Sequence, residues 1–330
     1  MATRTPRDAL DELANVSEAE DVVIEDVDPS FIALVDEGKP LSQWLLFRRR
    51  FVKHKIAIAS LIVLILITLL VIFAPAVSKH DPLAQDLANL RHPPDGKHWF
   101  GTDNLGRDVF ARVLFAGRIS LKIGFGVAII STFIGIVVGS VAGYVGKWVD
   151  TLLMRMTDLF LVIPGLAVLM VANKKFVGQE IFGHHISTDT LAILILSFLF
   201  WQTIARVVRG LFLSLKEKEF VEAARASGAS TPRIIIRHVL PNCIGPIAVN
   251  MTLIVSLAIL TESTLSFLGF GVQPPDISWG WLVNDARGTA GTDYAYMMYF
   301  PGAAISLTVL AINFLGDGLR DAFDPTSKHG

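Results

Sequence analysis

Six long apolar stretches punctuate the chain, at 56–77, 119–144, 152–172, 191–213, 246–268 and 297–315. Each holds about 20 residues, the length a helix needs to cross a hydrocarbon core of roughly 30 Å. None alternates apolar and polar residues as a barrel strand does. Only helices and closed barrels satisfy their own backbone groups in lipid. The pattern therefore predicts an all-α membrane protein with six transmembrane helices. Within the third stretch Pro164-Gly165 predicts a kink. Within the second, Gly135, Gly139 and Gly143 recur every four residues and predict a close helix contact.

The polar intervals set the expected organisation. Residues 1–45 form an acidic tail, with Asp8, Asp11, Glu12, Glu18, Glu20, Asp21, Glu25, Asp26, Asp28, Asp36 and Glu37 against Arg4 and Arg7. Such a segment has too little apolar surface to offset ordering entropy, so a mobile tail is expected, with one short helix around Phe31–Val35. No apolar run follows Met1 directly, which argues against a cleavable signal peptide. Residues 46–78 carry the first span, 79–118 an extracytoplasmic loop, and 119–325 a core of five spans that includes the loop 214–245. Arg48, Arg49, Arg50, Lys53 and Lys55 precede the first span and place the N-terminus in the cytoplasm. Six crossings return the C-terminus to the same side. Lys216, Lys218, Arg225, Arg233 and Arg237 fit a cytoplasmic loop 214–245. The loop 78–118 carries Lys79, Arg91, Lys97, Arg107, Arg112 and Arg118 against that rule, but long loops translocate more freely. There Val109, Phe110, Val113 and Leu114 sit at helical spacing and predict an amphipathic helix lying on the membrane surface. Trp99 suits the interfacial belt. The segment 269–296, with Gln273-Pro274-Pro275 and Trp279-Gly280-Trp281, reads as a second interfacial loop.

Chemistry is sparse. A single cysteine, Cys243, excludes an intrachain disulfide and a cysteine-based metal site. His184 and His185 are adjacent, about 100° apart on a helix, and cannot grip one ion as an i, i+4 pair can. No Gly-x-x-x-x-Gly-Lys-Ser/Thr occurs, so the chain lacks the usual phosphate cradle. No nucleophile–base pair or carboxylate dyad stands out. The reading is of a non-enzyme with no catalytic residues, no cofactor and no metal. Charges within spans are costly and are candidate functional groups. Arg155 and Asp158 are three apart and read as a same-helix pair or a gate. Glu262, among Thr261, Ser263, Thr264 and Ser266, reads either as lining a wet pathway or as an interhelical hydrogen bond. Asn250 and Asn313 read as interhelical glue, and Asp317, Arg320 and Asp321 as an end anchor.

The polar strip 216–241 is the most informative stretch. Lys216, Glu217, Glu219, Glu222, Ala223, Ala224 and Arg225 favour helix, Gly228 suits a left-handed closing position, and Thr231-Pro232 suits a second helix start. Phe220, Ala223 and Ala224 share one side, as in a helix that docks in a partner's groove; the plainer alternative is a connector between spans. The spacing Glu222-Ala223-Ala224, Gly228, Leu240-Pro241 resembles the EAA loop of ABC import permeases, with His238 standing where the pattern has Ile. His238 to Asn242, Gly101-Thr102-Asp103, Leu105 to Phe110, Gly117 to Leu121, Leu265 to Pro275, Pro301-Gly302 and Asn313 to Asp321, closing on Asp324-Pro325, resemble the dipeptide/oligopeptide branch. The likeness covers 45–325.

The resemblance implies the C-type permease subunit of an ATP-driven importer of di- or oligopeptides in a bacterial inner membrane, with a type I importer bundle. It implies a homologous second permease, two ATPase subunits docked on the inner loop through Phe220, Glu222, Ala223, Ala224, Gly228, Leu240 and Pro241, and an extracytoplasmic substrate-binding protein. Membrane lipid and peptide complete the expected partners, and nucleic acid is not among them. A same-family permease for nickel or another small solute, or an ion-coupled secondary transporter, are the alternatives.

Overall fold

The computed structural model describes residues 43–176, 180–181, 184–185 and 187–323. Residues 1–42, including the expected short helix around 31–35, and 324–330 lie outside the described residues. The chain divides into two compact units, 1–50 and 51–330. Of the first, only the start of α1 (Gln43–Lys53) is described. The second holds α2 (Lys55–Ile72), α3 (Val109–Val145), α4 (Lys147–Val162), α5 (Gly165–Phe176), α6 (Thr188–Leu215), α7 (Glu219–Ala226), α8 (Thr231–Phe267), α9 (Trp279–Asp285) and α10 (Tyr296–Phe323). Among the described residues the strands are confined to a short hairpin, β1 (Glu180–Ile181) antiparallel to β2 (His184–His185), so the adjacent histidines lie on extended backbone.

Helices α2, α3, α6, α8 and α10 are each long and apolar enough to cross a membrane, and α4 with the first two turns of α5 forms a pair bent by 73°, which makes six crossings if the pair is one broken span and five if it is a re-entrant loop. The bend has a local cause. Proline excludes the helical region for the residue before it, and Ile163, before Pro164, is extended at φ −69°, ψ 124°.

Two expectations about the polar intervals are corrected. Residues 107–114 do not form a separate surface helix: from Val109 onward they are the first turns of α3, a single helix of 37 residues, about 55 Å long at the usual rise. Val109, Ala111, Arg112, Val113 and Leu114 are buried. Likewise 269–296 is not loop throughout, because it contains α9, whose first residue is buried against α3. Trp279 is 1% exposed; its indole N–H donates to the Val113 carbonyl at 2.8 Å and its backbone N–H to Ser120 Oγ at 3.1 Å.

The glycine repeat does what its spacing predicts. A Cβ on Gly135 would sit 2.5 Å from Ile204 Cβ, and one on Gly143 2.6 Å from Phe212 Cβ, while at Gly139 it would collide with the Ala205 carbonyl oxygen. The three glycines thus press α3 onto α6, where Ile204, Ala205, Val208 and Phe212 have no exposed surface. Charged clips add α4 to the pair: Arg209 holds Asp150 at 2.5 and 2.7 Å, and Arg206 holds Asp158 at 2.5 Å. The same-helix pair Arg155–Asp158 is therefore not formed; the cation arrives from the facing helix, which spacing along α4 does not reveal. Asn250 is also corrected, since its amide donates to Pro246 O of its own helix at 2.8 Å. His54 Nε2 meets Asp321 at 3.3 Å, joining the start of α2 to the end of α10.

Because the obstruction at Gly139 is backbone, Gly139→Leu is expected to destabilise the bundle by about 1–3 kcal/mol, the usual range for overpacking. The check is the thermal midpoint of the purified chain in detergent, against Gly302→Leu, where nothing lies within 4 Å of an added Cβ.

Candidate functional site

Helix α6 ends at Leu215, and Lys218 adopts an extended conformation that starts α7. Glu219 and Glu222 lie in the first turn of α7 and Arg225 in the last, the charge order favoured by the helix dipole. Val221 has no exposed surface and Ala224 packs against the core, whereas Phe220 is 41% exposed and Glu222 and Ala223 are also exposed. Of the expected docking face, Ala224 is thus turned partly inward. Val221, which the sequence reading passed over, is the anchor; its i, i+3 spacing with Ala224 was the available signal.

Gly228 closes α7. Its φ is +77°, its N–H donates to Arg225 O at 3.0 Å, and the next N–H, of Ala229, donates to Ala224 O at 3.1 Å. These two bonds are the Schellman pair, which requires a left-handed residue at this position. No atom lies within 4 Å of where a Cβ would stand, so the constraint at Gly228 is conformational rather than spatial.

The second helix begins one residue earlier than expected: Ser230 is the N-cap, Thr231 the first helical residue and Pro232 the second. The helix then runs on into the fifth apolar stretch without a loop. It widens to a π turn at Ile235–Val239 and tightens to a 3₁₀ turn at Leu240–Cys243. Pro241 is the cause, since it has no N–H to give to the carbonyl four residues back and its ring crowds that carbonyl. Leu240 N–H reaches back to Ile235 O, and the Asn242 side chain serves His238 O at 2.7 Å. Leu240 is half-buried against the core, and Pro241 is exposed.

Among the in-membrane candidates, Glu262 is 1% exposed. Its Oε1 accepts from Ser266 Oγ at 2.6 Å, and Ser266 Oγ in turn accepts from the Val272 N–H at 3.1 Å. In this chain Glu262 therefore faces its own bundle. Arg155 and Asp158 are exposed on α4, so neither is brought to Glu262 or to the 216–241 strip.

At the start of α3 a buried ionic cluster joins the two other polar intervals. Arg112, 2% exposed, is paired with Asp103 and lies 3.4 Å from Asp285 of α9, and Arg107 Nε donates to Asp103 at 2.7 Å. The Arg112 guanidinium also stands 5.3 Å from the centre of the Trp281 ring. Asp108 caps α3, with Oδ1 accepting the Ala111 N–H at 2.7 Å. Hydrogen bonds lower two carboxylates of this loop below their ordinary range: Asp95 through the N–H groups of His98 and Lys97, and Asp86 through the Asn89 side chain and then the Ala88 N–H. The cap at Asp108 was readable as an acid before an apolar run; the partnership of Arg112 with Asp285 was not.

Comparison with known proteins places these features. Residues 135–329 match the family described as binding-protein-dependent transport system inner membrane component, and 42–94 match the N-terminal TM domain of oligopeptide transport permease C. The chain is 40% identical over 287 residues to the oligopeptide transport system permease protein OppC of Bacillus subtilis (strain 168), covering 87% of this chain and 91% of that one. It is 41% identical over 277 residues to the dipeptide transport system permease protein DppC of the same organism, covering 84% of each. A chain of the MetNI methionine ABC transporter, solved in an inward-facing conformation, shares the fold at TM-score 0.52 and 21% identity, over 64% of this chain and 96% of that one. With an all-helical bundle of membrane-spanning length and these relatives, the chain belongs to the binding-protein-dependent transport system inner membrane component family, in its oligopeptide and dipeptide permease C branch.

Proposed function

We propose that this chain is the C-type permease subunit of an ATP-driven importer of di- and oligopeptides, lining the route with a second, homologous permease. The observation that carries the reading is α7. It is a short helix held from beneath by Val221, locked at its end by Gly228, and offering Phe220, Glu222 and Ala223 outward between two spans. Such a helix fits a groove on a partner. The partner is an ATPase subunit, one on each permease, because the chain carries no phosphate-binding loop of its own. Basic residues before α2 and along 216–237 support a cytoplasmic side for this surface and for both termini. The segments 99–118 and 269–296 then face outward, where an extracytoplasmic binding protein delivers its cargo. Peptide as that cargo is supported by the names of the two Bacillus relatives, an oligopeptide and a dipeptide transport permease.

Coupling follows from connectivity. Helix α7 packs on the first turns of α8, and α8 continues through the membrane to Phe267. ATP-driven closure of the ATPases would displace residues 216–230, and α8 would relay that displacement into the bundle.

Glu222→Arg is expected to abolish uptake of a labelled dipeptide while the amount of membrane-inserted chain stays normal; undiminished uptake would contradict docking at α7. Gly228→Ala forces a left-handed backbone at roughly 1–2 kcal/mol and should reduce uptake, and Gly228→Pro, which also deletes the N–H bonded to Arg225, should eliminate it. Both are read against protease resistance of the loop. Purified alone, the chain should hydrolyse no ATP, and turnover by it would overturn the division of labour.

A further inference from the structure

The segment 78–118 carries six basic residues, and four of them have partners in the fold. Arg107 and Arg112 are paired with Asp103. Arg118 donates to the last carbonyls of α2, Val71 O at 3.0 Å and Ile72 O at 2.6 Å. Arg91 Nε donates to Asn104 at 2.7 Å, and its guanidinium lies 5.4 Å from the centre of the Tyr294 ring. Lys79 and Lys97 remain. Both side chains are exposed, and among the described residues neither ammonium makes an ion pair or a hydrogen bond. The nearby carboxylates are engaged elsewhere: Asp81 accepts from the Leu83 N–H, Asp95 from the N–H groups of Lys97 and His98, and Asp86 from Ala88 and Asn89. Lys97 acts on Asp86 only at a distance.

The two unpaired cations line one cavity of about 410 Å³, together with Val77, Trp99 and Phe110. Its frame is fixed. His80 Nε2–H donates to Lys97 O at 3.2 Å, which ties the two lysine-bearing segments together, and the His80 ring stacks on the buried His98 ring. Asp108 also lines the cavity, but both its oxygens are taken, one by His98 Nδ1 at 2.8 Å and the other by the Ala111 N–H at 2.7 Å. The cavity stands just past the end of α2, after the one-turn helix Ala74–Val77. Ile72 and Phe73, at that end, are each 55% exposed, and Trp99 is 54% exposed. An exposed tryptophan beside the end of an apolar helix is the arrangement of a membrane–water interface.

We propose that this cavity binds one anionic phospholipid, with Lys79 and Lys97 holding its head group and Val77, Trp99 and Phe110 receiving its glycerol and upper acyl chain. Lysines beside a membrane span attract anionic head groups, and long basic side chains reach the head-group level from an apolar base. A soluble anion would satisfy the two cations and leave the apolar lining uncovered. A lipid of zero net charge would cover the lining and leave the cations without a counter-charge. The anionic lipid meets both halves of the cavity. The inference stands independently of the transport reading, since it needs only that α2 crosses the membrane.

The test uses the full-length chain reconstituted in phosphatidylcholine vesicles. The probe is phosphatidylglycerol brominated on its acyl chains, with brominated phosphatidylcholine as the neutral counterpart, read by quenching of tryptophan fluorescence. Trp99→Phe removes the reporting ring and so defines the share of the signal that belongs to the cavity. At low mole fraction the brominated phosphatidylglycerol is expected to quench that share saturably and the brominated phosphatidylcholine not to. Lys79→Gln and Lys97→Gln should each raise the half-saturating fraction roughly fivefold, and the double variant should lose the preference. Its thermal midpoint should match the parent, because both side chains are exposed. Lys147→Gln, at the far end of α3, should keep the preference. Unbrominated phosphatidylglycerol should reverse the quenching, and soluble glycerol phosphate should not. Equal quenching by the two lipids in the parent, a preference that survives in the double variant or vanishes in Lys147→Gln, or reversal by soluble glycerol phosphate, which marks a free-anion site, would each overturn the proposal.

Discussion

Apolar helices gain little by leaving lipid for one another, because lipid tails are as apolar as leucine. What holds such a bundle is contact close enough to recover dispersion, and that needs small residues where helices cross. Gly135, Gly139 and Gly143 provide it between α3 and α6, and the other positions follow from that seam. The clips from Arg206 and Arg209 fasten the bent α4 to the same α6. Trp279 fastens α9 to the upper part of α3. Where α6 ends is where α7 emerges, so the exposed face of Phe220, Glu222 and Ala223 is placed by glycines some eighty residues earlier in the chain.

The charged contacts differ in weight according to their surroundings. Arg112 is almost wholly enclosed, and it has Asp103 and Asp285 as partners. Removing the partner of an enclosed charge typically costs about 3–5 kcal/mol, so this cluster firmly joins the loop after α2 to α9. Arg206 and Asp158 are 48% and 51% exposed. Where water reaches such a pair it contributes about 0–1 kcal/mol, far less than the enclosed cluster.

Much of this was legible in the sequence, and the failures have definite causes. Stretch length and hydropathy give the spans, Pro164 gives the bend, and Gly228 gives the closing turn, because each depends on neighbours along the chain. The glycine repeat reports a close contact but does not name α6 as the other side. Arg206 for Asp158 and Asp285 for Arg112 lie 48 and 173 residues away, and no local pattern points to them. The apolar spacing of Val109, Phe110, Val113 and Leu114 was read correctly as helix and wrongly as a surface helix, since periodicity does not distinguish a lipid face from a protein face. Val221 does not stand out as an anchor in the sequence because a single apolar residue within the polar strip 216–225 makes no periodic stripe.

The π turn at Ile235–Val239 has a geometric consequence for the whole of α8. A π turn stores one residue beyond what an α turn holds, and one residue on a helix corresponds to about 100° of rotation. The 3₁₀ turn that follows at Leu240–Cys243 is wound tighter than an α turn, so the two departures rotate the chain in opposite senses and largely offset each other before Ile244. Pro241 can therefore sit at the membrane entrance of α8 while Glu262, further along the same helix, stays turned into its own bundle.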